Sequence, residues 1–130
     1  MYTNIDTAHA IQVIGLWLNS LQLPEGFPLE AVKDAMVLVT KNNIFKWGDL
    51  YFLQMLGTVM GASAACMWAT IHFAVHEMEF IIPKWETKQI LFCRFIDDIF
   101  GIWIGDKEGT DWMEFKNDIN NFGILKWEFE

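Results

Sequence analysis

Two adjacent aspartates, Asp97 and Asp98, stand between two short runs that are almost wholly apolar, Ile90-Leu91-Phe92-Cys93-Arg94-Phe95-Ile96 and Ile99-Phe100-Gly101-Ile102-Trp103-Ile104. Short runs rich in β-branched and aromatic residues read as strands, and a polar pair between them reads as a tight turn. An antiparallel hairpin with the carboxylates at its tip is therefore expected. Like charges a few ångströms apart repel and resist desolvation, so such a pair is costly unless something positive compensates it. A divalent cation is the natural compensation: in phosphoryl transfer two Mg²⁺ ions about 3.5–4 Å apart steady the attacking and leaving oxygens, and carboxylates on a rigid hairpin can hold them. The plainer alternative is a solvated Asp-Asp turn, because Asp tolerates turn geometry.

The remaining elements follow from spacing and breakers. Asn4, Asp6 and Thr7 offer caps to a first helix whose apolar positions are Ile11, Ile14, Leu18 and Leu21. Pro28 sits at the start of a second helix through Leu29, Val32, Met36 and Val39 that ends near Asn42-Asn43. Ile44-Phe45-Lys46-Trp47 and Leu50-Tyr51-Phe52-Leu53-Gln54, joined by Gly48-Asp49, read as another hairpin. A third, largely buried helix spans residues 62–80, with Ala65, Ala69, Phe73 and Met78 facing a core and Pro83 closing it. After the Asp-Asp hairpin, Thr110 or Asp111 caps a last helix through Met113, Phe115 and Ile119, and Gly123 introduces a terminal strand over residues 124–129. This order predicts an α+β fold, an antiparallel sheet backed by helices on one face, in a single unit without repeats or linkers.

At 130 residues the chain has room for one domain, and an apolar fraction of 53% with seven Trp and eleven Phe implies extensive burial. That much apolar surface on a short chain also suggests faces meant to be covered by further material. The scattered Trp residues suit a core better than a set of base-stacking platforms. A net charge of −8 argues against a free-standing nucleic-acid binder, since neutralising phosphates takes Lys and Arg. Cys66 and Cys93 share no ligand spacing and read as two buried, reduced thiols. The first residues carry neither a basic segment nor an apolar one, so no signal peptide is expected and an intracellular setting is the default. Residues 50–76 contain no Asp, Glu, Lys or Arg and include a GxxxG spacing at Gly57 and Gly61, so a membrane helix has to be weighed. Gln54, two histidines and the acidic flanks Asp49, Glu77 and Glu79 count against it.

Phe95-Ile96-Asp97-Asp98 resembles the aromatic-x-Asp-Asp signature of reverse transcriptases, with Phe95 where many members have Tyr. Upstream, Gln54-Met55-Leu56-Gly57-Thr58-Val59-Met60-Gly61-Ala62-Ser63-Ala64-Ala65 looks like that family's Gln-x-x-Gly-x-x-Met-Gly-x-x-x-Ala segment, and the two occur in the family's order. The opening Met1-Tyr2-Thr3-Asn4-Ile5 is similar to the Leu-Tyr-Thr-Asn-Ile stretch of Penelope-like and related retroelement enzymes, and Asn121-Phe122-Gly123-Ile124-Leu125-Lys126-Trp127 is similar to the region just past their hairpin. The resemblance covers nearly the whole chain. It implies a partial polymerase palm domain of split βαβ, ferredoxin-like topology over residues 1–130, without fingers or thumb.

The resemblance further implies that Asp97 and Asp98 are catalytic and bind two Mg²⁺, and that Gln54, Gly57 and Gly61 position nucleotide and template. Tyr2 would stack under the deoxyribose and exclude a 2′-hydroxyl. RNA template, DNA primer and a deoxynucleoside triphosphate would be the partners. The family's first metal-binding Asp would fall ahead of Met1, so the chain alone is expected to be inactive. A small membrane-associated helical protein and a non-catalytic polymerase-like binding module are the competing readings. His72 and His76, four apart, could share a metal but have no evident third ligand. Arg94 could meet a phosphate or pair with one of the many acids.

Overall fold

The computed structural model describes residues 4–59 and 64–130; Tyr2 and Gly61 lie outside them. Helix α1 (Thr7–Ser20) starts where Asp6 accepts hydrogen bonds from the backbone N–H groups of Ala8 and His9, at 2.8 and 3.0 Å. This cap satisfies two of the donors that a helix start leaves unpaired. Ala10 and Ile14 are buried from α1. Leu21, expected to face inward, falls past the last turn and is exposed. Helix α2 (Leu29–Lys41) follows Pro28 and packs on α1 with its half-buried Val32 and Met36, while Val39 faces out.

Strands β1 (Ile44–Trp47) and β2 (Leu50–Leu53) pair antiparallel in the expected register, Trp47 opposite Leu50 across Gly48-Asp49. Gly48 has φ +61°, a conformation costly for any side chain there. All eight strand residues are exposed.

Helix α3 (Ala65–His76) runs without a break through a π-helical turn at Glu77–Ile81 into α4 (Ile82–Trp85). Pro83 therefore lies inside the helical run instead of ending it. The wider π turn just ahead makes room for a ring that lacks an N–H and would otherwise crowd the preceding turn. Ala65, Ala69, Phe73, Ile81 and Trp85 are buried, but Met78 is half exposed, because the inward stripe continues from Phe73 to Glu77 and Ile81.

Strands β3 (Gln89–Phe95) and β4 (Asp98–Trp103) form the second antiparallel hairpin. The two hairpins are separate two-stranded sheets, so the α+β class holds but the single sheet does not. Phe92, Ile99 and Trp103 on one face of β3 and β4 pack on the helical core, whose centre is Phe73, Ile81, Trp85, Phe115 and Ile119. The Trp85, Trp103, Trp112 and Phe115 rings meet edge-on, tilted or offset with centroids 5.0–5.9 Å apart, distances at which aromatic pairs attract beyond simple burial. Most tryptophans thus serve the core, but Trp47 is 78% exposed.

Helix α5 (Thr110–Ile119) follows Gly109 and has no side-chain cap, neither Thr110 nor Asp111 filling that role. Residues 124–129 form no strand. Instead, the Asn120 amide donates to the Trp127 carbonyl at 3.2 Å and its oxygen accepts from the Trp127 N–H, so one side chain replaces a neighbouring strand. Both cysteines are exposed, contrary to expectation, and neither is in a disulfide: Cys93 alternates with the inward Phe92 and Arg94 and so lies on the outer face of β3.

Candidate functional site

The turn between β3 and β4 is one residue earlier than the sequence suggests. Phe95 pairs with Asp98, leaving Ile96 and Asp97 as the turn and Asp98 as the first residue of β4. Ile96 has φ +54°, the only non-glycine residue with positive φ among those described. For a β-branched residue this is a strained conformation.

Beneath the turn lies the chain's single arginine. Alternation along β3 sends Arg94 inward, where its guanidinium forks onto Glu77, Nε to Oε1 at 2.6 Å and Nη2 to Oε2 at 2.8 Å. Both side chains are nearly buried, at 6% and 9% exposure. Arg94 also donates to the carbonyls of Ile96 at 3.0 Å and Thr70 at 2.9 Å. A buried charge must be paired, so Arg94 is committed to the fold and not to a phosphate in solution.

Asp97 and Asp98 line a groove of about 810 Å³ along β4. Its opposite wall is the extended segment Leu125, Lys126, Trp127, Glu128, and Trp103 and Phe115 lie along its length. The outer edge of β4 has no strand partner among the described residues. Two buried donors on the groove walls, Gln89 Nε2 and Trp127 Nε1, find no acceptor among the described residues. Four acids against Lys126 make the lining negative, so it favours a cation over a bare phosphate.

Asn4 also lines the groove, and the carbonyl of its neighbour Ile5 accepts from the Gly57 N–H at 2.9 Å. Asn4 and Ile5 thus link the groove to Gly57. Gly57 is buried with φ +78°, as a close backbone approach requires. Gln54 does not line the groove; its amide donates to the Leu56 carbonyl at 2.8 Å within its own loop.

No group of three or more His, Cys, Asp or Glu among the described residues is arranged to hold a metal ion. Asp97 and Asp98 would offer two carboxylates to a divalent cation that kept several waters, a chemistry suited to Mg²⁺ but weak in hold. The histidines turn to other partners. His72 Nε2 meets His9 Nδ1 at 3.1 Å, and His76 Nε2 meets the Asp118 carbonyl at 3.0 Å. All three histidine rings stack or edge onto Phe122, with centroids 4.7–4.9 Å away. Burial foremost, then repulsion from His9, pushes His72 down to about 4; burial also lowers His76. Nothing in the local sequence foretells the His9 contact, whereas the inward alternation of Arg94 was a readable sign that an acid had to meet it.

No described helix is long and apolar enough to cross a membrane, and within the uncharged stretch over residues 50–76 the structure places β2 at Leu50–Leu53 and α3 at Ala65–His76. Comparison with protein-family models, curated proteins and solved structures finds no match to this chain.

Proposed function

We propose that this chain is the palm portion of an RNA-directed DNA polymerase, carrying part of the metal site for template-directed nucleotidyl transfer. The observation that carries the reading is the Asp97-Asp98 pair at a rigid hairpin tip on the lip of a negatively lined groove, taken with the resemblance of its sequence context to reverse transcriptases. In that reaction a primer 3′-hydroxyl loses its proton and bonds to the α-phosphorus of a deoxynucleoside triphosphate, the α–β bridging bond breaks, and pyrophosphate leaves. Two Mg²⁺, when bound, would lower the cost of the charge on the attacking and leaving oxygens. Asp97 would hold both ions and Asp98 would assist from the strand end.

Asp97 and Asp98 would supply two of the carboxylates for the ions, and the resemblance calls for a further Asp carried on another strand. The outer edge of β4, which has no strand partner among the described residues, is suited to receive one, because an unpaired edge offers a row of N–H and C=O groups. By the same resemblance Tyr2, Gly57 and Gly61 are proposed to serve the nucleotide and template side, and Gln54 would join them only on giving up its hydrogen bond to the Leu56 carbonyl. RNA template and DNA primer would be gripped by basic elements other than this acidic chain.

Mn²⁺ titration of the labelled chain by NMR tests the reading. Paramagnetic broadening is expected first at residues 96–99, and Asp97→Asn should remove it. Broadening spread evenly over the seventeen acidic residues would overturn the metal-site assignment. A longer chain that supplies the third carboxylate should extend a DNA primer on RNA with Mg²⁺ and lose that activity with Asp97→Asn.

A further inference from the structure

A two-residue turn normally places Gly, Asn or Asp where the backbone must take positive φ, because a side chain branched at Cβ crowds the preceding carbonyl there. At this hairpin the residue is Ile96, with φ +54°. Such a conformation persists only where its surroundings over-determine it. The Ile96 backbone is held by Arg94, whose Nη1 donates to the Ile96 carbonyl at 3.0 Å.

Arg94 can act this way because it is itself immobilised. Glu77 takes its Nε and Nη2, and the Thr70 carbonyl takes a further hydrogen from Nη2. Its Cζ lies 5.3 Å from the centroid of the Phe73 ring. Thr70, Phe73 and Glu77 form one stripe of α3 and the π turn, three and four residues apart, so the guanidinium is laid along a rigid helical face. A planar five-donor fork can meet the carboxylate and the carbonyls at once; an ammonium cannot.

We infer that Arg94 is a positioning residue, which couples the helical core through Glu77 to the Ile96 carbonyl and so fixes where the Asp97 and Asp98 carboxylates stand on the lip of the groove. The ion pair is more than a buried neutraliser of Glu77: it transmits the rigidity of α3 to the turn. The metal arm of the test rests on the proposed function; the backbone arm does not.

The test uses the full chain and compares wild type with Arg94→Met/Glu77→Met, which removes both buried charges together, and with the same pair plus Ile96→Gly. In the metal-free protein the double variant should move the Ile96 Cα and Cβ shifts out of their left-handed values. With Mn²⁺ as probe, affinity at residues 97 and 98 should fall about tenfold, the effect typical of residues that orient metal ligands. Ile96→Gly should recover most of that affinity, because glycine takes positive φ without a guanidinium to hold it. If the double variant does not fold, Glu77→Gln should shift the same signals in the same direction by less. Unchanged Ile96 shifts and affinity in the double variant would overturn the inference, as would an affinity loss that Ile96→Gly fails to restore. Absence of Mn²⁺ broadening at residues 97 and 98 in wild type would instead overturn the polymerase reading, and the Ile96 shifts would still decide the role of Arg94.

Discussion

His9 Nδ1 on α1 lies 3.1 Å from His72 Nε2 on α3, one ring donating to the other, so two helices are joined through a contact that needs at least one neutral imidazole. His72 is almost completely buried and its Nδ1 has no partner among the described residues, which makes a charge there costly. Burial, with His9 beside it and Asp6 opposing, brings His72 down to about 4 from 6.5. The unfolded chain therefore binds this proton more readily than the folded one. Stability is full above pH 6.5 and falls as the pH drops toward 4, by on the order of 3 kcal/mol for this group. Urea unfolding at a series of pH values should show that slope, and His72→Gln should flatten it. A midpoint that does not change between pH 7 and 5 would refute the account.

Phe73 is fully buried where the rings of His76, Phe122 and Trp127 converge, at centroid distances of 4.9–5.7 Å. Phe73→Ala should cost about 3–5 kcal/mol through lost burial and the cavity left behind. Against a total stability of about 5–15 kcal/mol for a domain of this kind, that is enough to leave a marginal fold. Chemical denaturation should show a midpoint shift of that size, with Phe73→Leu costing distinctly less.

The β1–β2 hairpin presents Trp47, Leu50, Tyr51 and Leu53, each at least half exposed, and it carries only Lys46 and Asp49 as charges. The net charge of −8 therefore offers little local repulsion where apolar faces, and two strand edges with no strand partner among the described residues, meet solvent. Trp47→Lys with Leu50→Lys should raise the concentration at which the chain stays monodisperse in sedimentation, without lowering the thermal midpoint. An unchanged association threshold would mean that another surface governs it.

What could be read from the sequence was what is local. Asp6 caps α1 because a short polar side chain before an apolar period is the usual solution for unpaired helix donors. Gly48 and the alternating runs around it define the first hairpin without help from distant residues. The π turn at Glu77–Ile81 was invisible, since the apolar period of a helix carries no mark of one widened turn, and with it went the assignments of Met78 and Pro83. The terminal strand failed for a similar reason: its apolar pattern was present, but a strand needs a backbone partner and Asn120 supplied a side-chain one. The hairpin that carries the carboxylate pair was legible from the apolar runs on either side, and its turn was misplaced by one residue. Gln54 was legible only by resemblance, and its amide is spent inside its own loop.

Asn120 holds the far wall of the groove. Its side chain meets both backbone groups of Trp127, and its own carbonyl accepts from Lys126 Nζ at 2.8 Å, so one residue at the end of α5 fixes the segment that faces β4. Asn120→Ala would leave the Trp127 N–H and carbonyl without their partner, a loss of about 1–3 kcal/mol for part-buried groups. The Trp127 amide should then exchange with deuterium much faster while amides of α3 stay protected, since opening is confined to the segment that was clamped. Trp127 fluorescence should shift to longer wavelength as the ring leaves Phe73. Asn120→Asp keeps the acceptor for the Trp127 N–H and loses the donor for its carbonyl, so it should fall between Asn120→Ala and wild type. Equal exchange at Trp127 in all three proteins would show that packing against Phe73 and Leu125, not the Asn120 side chain, holds that wall.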